Sequence, residues 1–336
     1  MLKSLLTAFA AASIAVAGTA SAADKPVTLR YTSNGPAKSP WADQIRQFVA
    51  DADAESKGSI KVEPFFGGQL GNEQDTVQQV ARGRIDIGAF STGAVSLLLP
   101  ELQVAIIPFL FDSPAQSDCV MDNHLRKVFA ELLEKKGVKL LSIGEVGQID
   151  LIGKRAFVTP KDVAGIKAVS YTKNQKIMWA TLGANSSFVG VPDWSSALQT
   201  GLVDTTGSPM ALYVPSGLNK VAPVLSVVNM WNTQALVIIN KRTFERLSKT
   251  QQDAILSAYA KQPSSMQRAK IRGLEEFLRQ AHKKGGGQIV VPTAEQRAEW
   301  AAAVSKSWPE MVKAMGGEAQ RLFDIAIAGK KECPVK

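Results

Sequence analysis

Residues 68–88 read GQLGNEQDTVQQVARGRIDIG. The glycines open the stretch as a loop. Residues 73–82 then have helical character, and the Gly83–Asp86 turn enters a strand over 85–89. Outward on the N-terminal side, residues 27–31 (VTLRY) and 60–64 read as strands. Between them lie a loop of turn formers at 34–40 and a helix from 41 to about 56, whose Ile45, Phe48, Val49 and Ala52 share one face. On the other side, a helix at 125–136 stops at Gly137 and leads to a strand at 139–143. The turn at 159–163 runs through Gly165 into a strand at 166–170, and 175–182 and 194–200 read as helices. Residues 235–239 (ALVII) form a buried apolar strand. A helical region at 251–284, kinked or broken at Pro263, ends at Gly285-Gly286-Gly287. A short strand at 288–291 and two helices close the chain, and no internal repeat is present. The alternation predicts α/β architecture with a mainly parallel sheet covered by helices.

The N-terminus has the pattern of an export signal. Lys3 precedes an apolar run over 5–16, and Ala20-Ser21-Ala22 supplies the small-x-small cleavage pattern. That run is shorter than the about 20 residues needed to span a bilayer, so cleavage near Ala22 is expected, leaving a periplasmic protein. The remaining chain is long enough for two α/β domains. The full sequence has a formal charge of +9, lowered to +8 by loss of Lys3, and it arises from scattered basic residues. In the densest region, 261–284, Ile271, Leu274, Leu278 and Ala281 follow helical spacing, which predicts a solvated helix with an apolar stripe rather than a nucleic-acid surface. Cys119 and Cys333 are the two cysteines. In an oxidising compartment they can tie the tail to the first domain if their Cα atoms approach to about 5.5 Å, a distance that the sequence leaves open.

Enzyme readings find little footing. The two histidines, His124 and His282, sit in no catalytic motif, and nucleophile-elbow, zinc-protease and phosphate-loop patterns are absent. Glu73 and Glu145 could form an acid–base pair, but no spacing argues for it. No metal site or cofactor is expected.

Five segments in order resemble the TRAP-transporter solute-binding proteins of the DctP type. They are Gly67–Glu73 (GGQLGNE), Gly83–Gly88 (GRIDIG), Pro108–Phe111 (PFLF), Pro160–Lys167 (PKDVAGIK) and Ala197–Asp204 (ALQTGLVD). Each is weak alone; together, behind an export signal, they are specific. The resemblance implies a periplasmic-binding-protein-like fold: two α/β lobes joined by crossing hinge strands with a long connecting helix. It places the first lobe at 23–146 plus 232–280 and the second at 147–231 plus 281–336, after a signal peptide at 1–22. A small solute would be enclosed between the lobes and handed to a TRAP membrane permease, the carrier acting as a monomer. A sensory protein presenting its ligand to a receptor is the alternative.

One departure bears on the ligand. Such proteins typically grip a carboxylate with an arginine two residues after the Gly-Leu-Lys turn, and that position is Val169 here. The place of a second arginine falls at Gln148 or Ile149, and the usual Glu-Asn-Pro is Gly207-Ser208-Pro209. The expected ligand is therefore neutral, aromatic or cationic, unless Lys154, Arg155 or Lys173 holds an acid instead of lying on a solvated turn. The resemblance and residue types together suggest a cleft formed by Asn34, Trp41, Glu73, Gln148, Val169, Ser170, Tyr171, Ser208, Tyr213, Trp231 and Gln234. Trp194 and Asn232 are further candidates.

Overall fold

The computed structural model describes residues 24–335, so the predicted signal peptide lies outside the described residues. Among the described residues, nine strands form one sheet: β1 (Val27–Ser33), β2 (Ile60–Phe65), β3 (Ile87–Ser91), β4 (Val138–Gly153), β5 (Lys167–Val169), β6 (Asn185–Ser187), β7 (Thr205–Ser208), β8 (Val224–Asn240) and β9 (Gln288–Val290). Their order is β2-β1-β3-β8-β4-β7-β5-β6, with β9 paired to β8. Five of the eight pairings are parallel, but the longest, β4 with β8, is antiparallel. The geometry requires this, because one strand carries the chain out of the first lobe and the other brings it back.

β4 and β8 span 16 and 17 residues, far beyond the strands predicted at 139–143 and 235–239. Their other halves contain Gln148, Asp150, Asn232 and Gln234, all buried, so the apolar run that reveals an interior strand is interrupted. β3 flanks β8 only over 235–239, and β7 flanks β4 only over 150–153. Between those limits the two long strands pair only with each other, which makes a two-stranded bridge between five-stranded and six-stranded halves. Register shifts fall in this bridge, between Glu145 and Gly147 and again between Ile149 and Leu151. Bulges of this kind bend and twist a strand locally. Gly147 has φ +141°, and a Cβ there would stand 2.4 Å from Glu275 Oε1, so both backbone and space require glycine.

Three apolar cores hold the halves. In the first lobe, Phe48 is fully buried between the rings of Tyr31 and Tyr259, with centroids at 5.8 and 4.3 Å. In the second, Ile152, Val169, Trp194, Leu198 and Leu225 pack together. A third core runs behind the bridge and includes Phe129, Ile143, Leu151, Trp179 and Trp300. Full burial of each such side chain contributes about 1.5–3 kcal/mol.

The helical region at 251–284 is two helices, Lys249–Ala260 and Ser264–Lys284, with Pro263 at the N-cap of the second. A proline there interrupts the first helix while leaving the second intact. The 21-residue second helix lies along β4 and spans both lobes. Three helices, not two, close the chain: Ala294–Ser305, Trp308–Met315 and Ala319–Glu332. The extra break falls at Gly316 and Gly317, with φ of +69° and +52°. The last helix packs on the 3-10 helix Pro100–Ile106 and the α-helix Pro114–Val120. Cys119 and Cys333 form a disulfide with Cα atoms 5.7 Å apart, so the tail, grouped above with 147–231, is bonded to a segment of the first range.

Candidate functional site

A cavity of about 730 Å³ lies between the two halves of the sheet, in the size range of small-ligand sites. The first lobe supplies the loop after β1 and the starts of two helices. Ser39 caps Pro40–Glu55, its hydroxyl accepting the N–H of Ala42, which fixes Trp41 in the first turn. Asn72 caps Glu73–Ala81, Oδ1 accepting the N–H of Asp75 at 2.8 Å. Glu73 is thereby held at the first helical position facing the cavity. The second lobe supplies Tyr171, Phe188 and Trp194, and the bridge supplies Ile149, Trp231 and Thr233.

Glu73 accepts hydrogen bonds from the Ser91 N–H, from the Ser91 hydroxyl at 2.8 Å and from the Tyr171 hydroxyl at 3.0 Å. Burial holds its pKa above the usual carboxylate range, and these bonds oppose that rise. The Trp41 indole donates to the Glu145 carbonyl at 2.9 Å and the Trp231 indole to Thr233 Oγ1 at 2.9 Å. Neither indole N–H is therefore free to bind a solute, and both rings line the cavity.

Of the residues expected at the cleft, Asn34, Trp41, Glu73, Tyr171 and Trp231 line this cavity, as does Trp194. Gln148 instead lines a smaller cavity of about 130 Å³ with Trp231, Asn232 and Arg297, and its Nε2 donates to the Trp231 carbonyl at 3.0 Å. The other five are placed elsewhere. Val169 is in the second-lobe core, its carbonyl accepting the Trp179 indole N–H at 2.9 Å. Side chains alternate faces along a strand, and that of Val169 takes the helix-covered one. Ser170 is buried, with its N–H on the Ser187 carbonyl at 2.9 Å. The Ser208 hydroxyl donates to the Pro209 carbonyl at 3.2 Å, and the Tyr213 hydroxyl to that of Ala222. Gln234 Nε2 donates to Ser117 Oγ and to the Asn232 carbonyl, each at 3.2 Å. Lys154, Arg155 and Lys173 do not line the cavity. Among the described residues, no lysine, arginine or histidine does.

Sequence reasoning missed Ser91, Gln44, Gln175, Phe188 and Asp193 in the lining. Their approach depends on tertiary packing, and no local pattern marks them. It also read 261–284 as a solvated helix over an apolar stripe, whereas the buried face of Ser264–Lys284 includes Gln267, Arg268, Glu275 and His282 beside Ile271 and Leu278. Arg268 donates to Asp122 at 3.0 Å, and Arg272 to Asp118 at 3.0 Å and Glu145 at 3.1 Å. Arg279 donates to Asp150 at 3.2 Å. Glu275 accepts the N–H groups of Gln148 and Ala211, each at 3.4 Å, so one helix binds both ends of the bridge. The positions 268, 272, 275 and 279 carried a visible signal: charges repeating at helical spacing.

The profile of the bacterial extracellular solute-binding proteins, family 7, named DctP, matches residues 31–314. A TRAP periplasmic solute-binding protein from Roseobacter denitrificans with bound β-D-glucuronate is 26% identical and superposes with a TM-score of 0.84, covering 90% of this chain and 99% of that one. The sugar-acid-binding protein DctPAm of Advenella mimigardefordensis in complex with galactonate is 25% identical with a TM-score of 0.84, covering 91% and 99%. The 2,3-diketo-L-gulonate-binding periplasmic protein YiaO of Escherichia coli K12 is 26% identical over 292 residues, 86% of this chain and 88% of its own. These likenesses establish the two-lobe periplasmic-binding fold.

Proposed function

The chain belongs to the bacterial extracellular solute-binding proteins of family 7, and from that membership we propose that it captures a small solute in the periplasm and delivers it to a TRAP-type membrane transporter. The observation that carries this reading is the cavity between lobes joined by a two-stranded bridge. Solute meets one lobe, the bridge bends, and the second lobe completes the pocket. Binding energy drives closure, and the closed monomer is the form the membrane subunits receive. Catalysis has no place in this cycle.

The solute is not gripped by an arginine–carboxylate fork. That part of the reading is supported by a lining without a basic residue and by a valine, buried in the core, where the resemblance would put the arginine. An acid enclosed there would lose its hydration with no positive partner.

A thermal-shift screen of the mature protein against organic acids, neutral sugars and amines tests the reading. A solute at about 100 times its dissociation constant adds about 2.7 kcal/mol of stability, which shifts the melting midpoint clearly. Stabilisation by one class, with compaction on binding seen by small-angle scattering, is expected. Failure of every class to stabilise the protein would overturn the carrier reading.

A further inference from the structure

The class of solute is legible in the lining, and this inference rests on the carrier reading above. Lysine and arginine outnumber aspartate and glutamate by 39 to 30 in the chain, yet among the described residues none reaches the cavity. Two carboxylates do: Glu73 inside and the exposed Asp193. Every hydrogen-bond partner of Glu73 is neutral, being the Ser91 N–H, the Ser91 hydroxyl and the Tyr171 hydroxyl. A buried carboxylate without a cation is costly, and a bound positive charge would relieve that cost.

The rings around it suit the same charge. Trp41 and Trp231 have their indole N–H groups engaged within the protein, and Tyr171 has its hydroxyl on Glu73. Phe188, 62% exposed, stacks on Tyr171 with centroids 6.2 Å apart. With those polar groups engaged, the aromatic rings are what remains to meet a solute, and the π face of a ring attracts a cation. Two lining amides each keep one unpartnered atom: Asn34 Oδ1 lacks a donor and Gln44 Nε2 lacks an acceptor. A hydroxyl serves both roles.

We infer that the cleft takes a small organic cation, an alkylammonium or quaternary ammonium bearing a hydroxyl or similar neutral polar group, with its charge between Glu73 and the aromatic faces. A neutral sugar would leave Glu73 without a counter-charge, and an acid would meet it as a like charge.

The test uses isosteres on the mature protein, read by calorimetry and tryptophan fluorescence. The probes are choline, the uncharged alcohol in which carbon replaces its quaternary nitrogen, and the corresponding acid, alongside ethanolamine, putrescine, glucose and glucuronate. At least one cation should bind about tenfold or more tightly than its uncharged counterpart, with the acid weakest, and Glu73→Gln should abolish that preference. The wild-type isostere comparison stands even if the variant folds poorly. Equal binding of cation and uncharged isostere, or binding of glucose or glucuronate alone, overturns the inference and leaves the carrier reading intact. Binding by none of the probes, followed by failure of the wider solute screen, overturns both.

Discussion

The Tyr171 hydroxyl donates to Glu73 Oε2 at 3.0 Å, and this bond joins the second lobe to the first within the lining of the cavity. A hydrogen bond to a carboxylate contributes about 1.5–3 kcal/mol where both groups are shielded from water. Tyr171→Phe keeps the ring and deletes the donor. It should lower stability by about 1.5–3 kcal/mol and speed amide hydrogen exchange at Ser91, whose N–H shares the same carboxylate. Unchanged exchange there would mean that the bond does not hold the lobes.

The bridge should make stability depend on pH. Burial raises the pKa of Glu275 to about 7 and that of Asp150 to about 6, Arg279 opposing both. A folded-state pKa above the unfolded value means that the native protein binds the proton more tightly. The resulting stabilisation is complete below about pH 4 and is lost as pH rises through 6 to 7. For Glu275 the loss is on the order of 3 kcal/mol. Glu275→Gln should flatten this slope, matching wild type at pH 4 and exceeding it at pH 8 in urea unfolding. Parallel pH profiles for the two proteins would refute the assignment.

Removing one partner of the ionic row along the long helix should be severe. Arg272 serves Asp118 and Glu145, the latter 2% exposed. Arg272→Ala leaves the buried Glu145 without its ion-pair partner and Asp118 with Arg268 alone, which costs about 3–5 kcal/mol. Arg272→Ala combined with Glu145→Gln should recover part of that loss. A double variant no more stable than the single would show that the pair is not coupled.

The Cys119–Cys333 bond fastens the end of the last helix to the short helix Pro114–Val120. Replacing both with serine should lower stability by about 2–4 kcal/mol, with early exchange confined to Ala319–Glu332. Equal denaturation midpoints with and without reductant would argue against a stabilising role.

The sequence alone determined most of the element types, because these follow from local periodicity and from Gly and Pro stops. The helix at Trp194–Thr200 begins and ends where its pattern predicts, and Pro263 breaks the long helical region. Gly201, left-handed at φ +73°, ends the first, and the proline ring marks the start of the second, neither needing a distant partner. Tertiary structure decided what no local pattern encodes. The second halves of β4 and β8 are strands because each pairs with the other, despite buried Gln148, Asp150 and Asn232 that break the apolar run. Asn34, Trp41, Glu73, Tyr171 and Trp231 meet around one cavity, whereas Val169 and Tyr213 turn into the core and Phe188 joins them unannounced. Residue type constrains what a side chain can do, but only packing between distant segments fixes the direction in which it points.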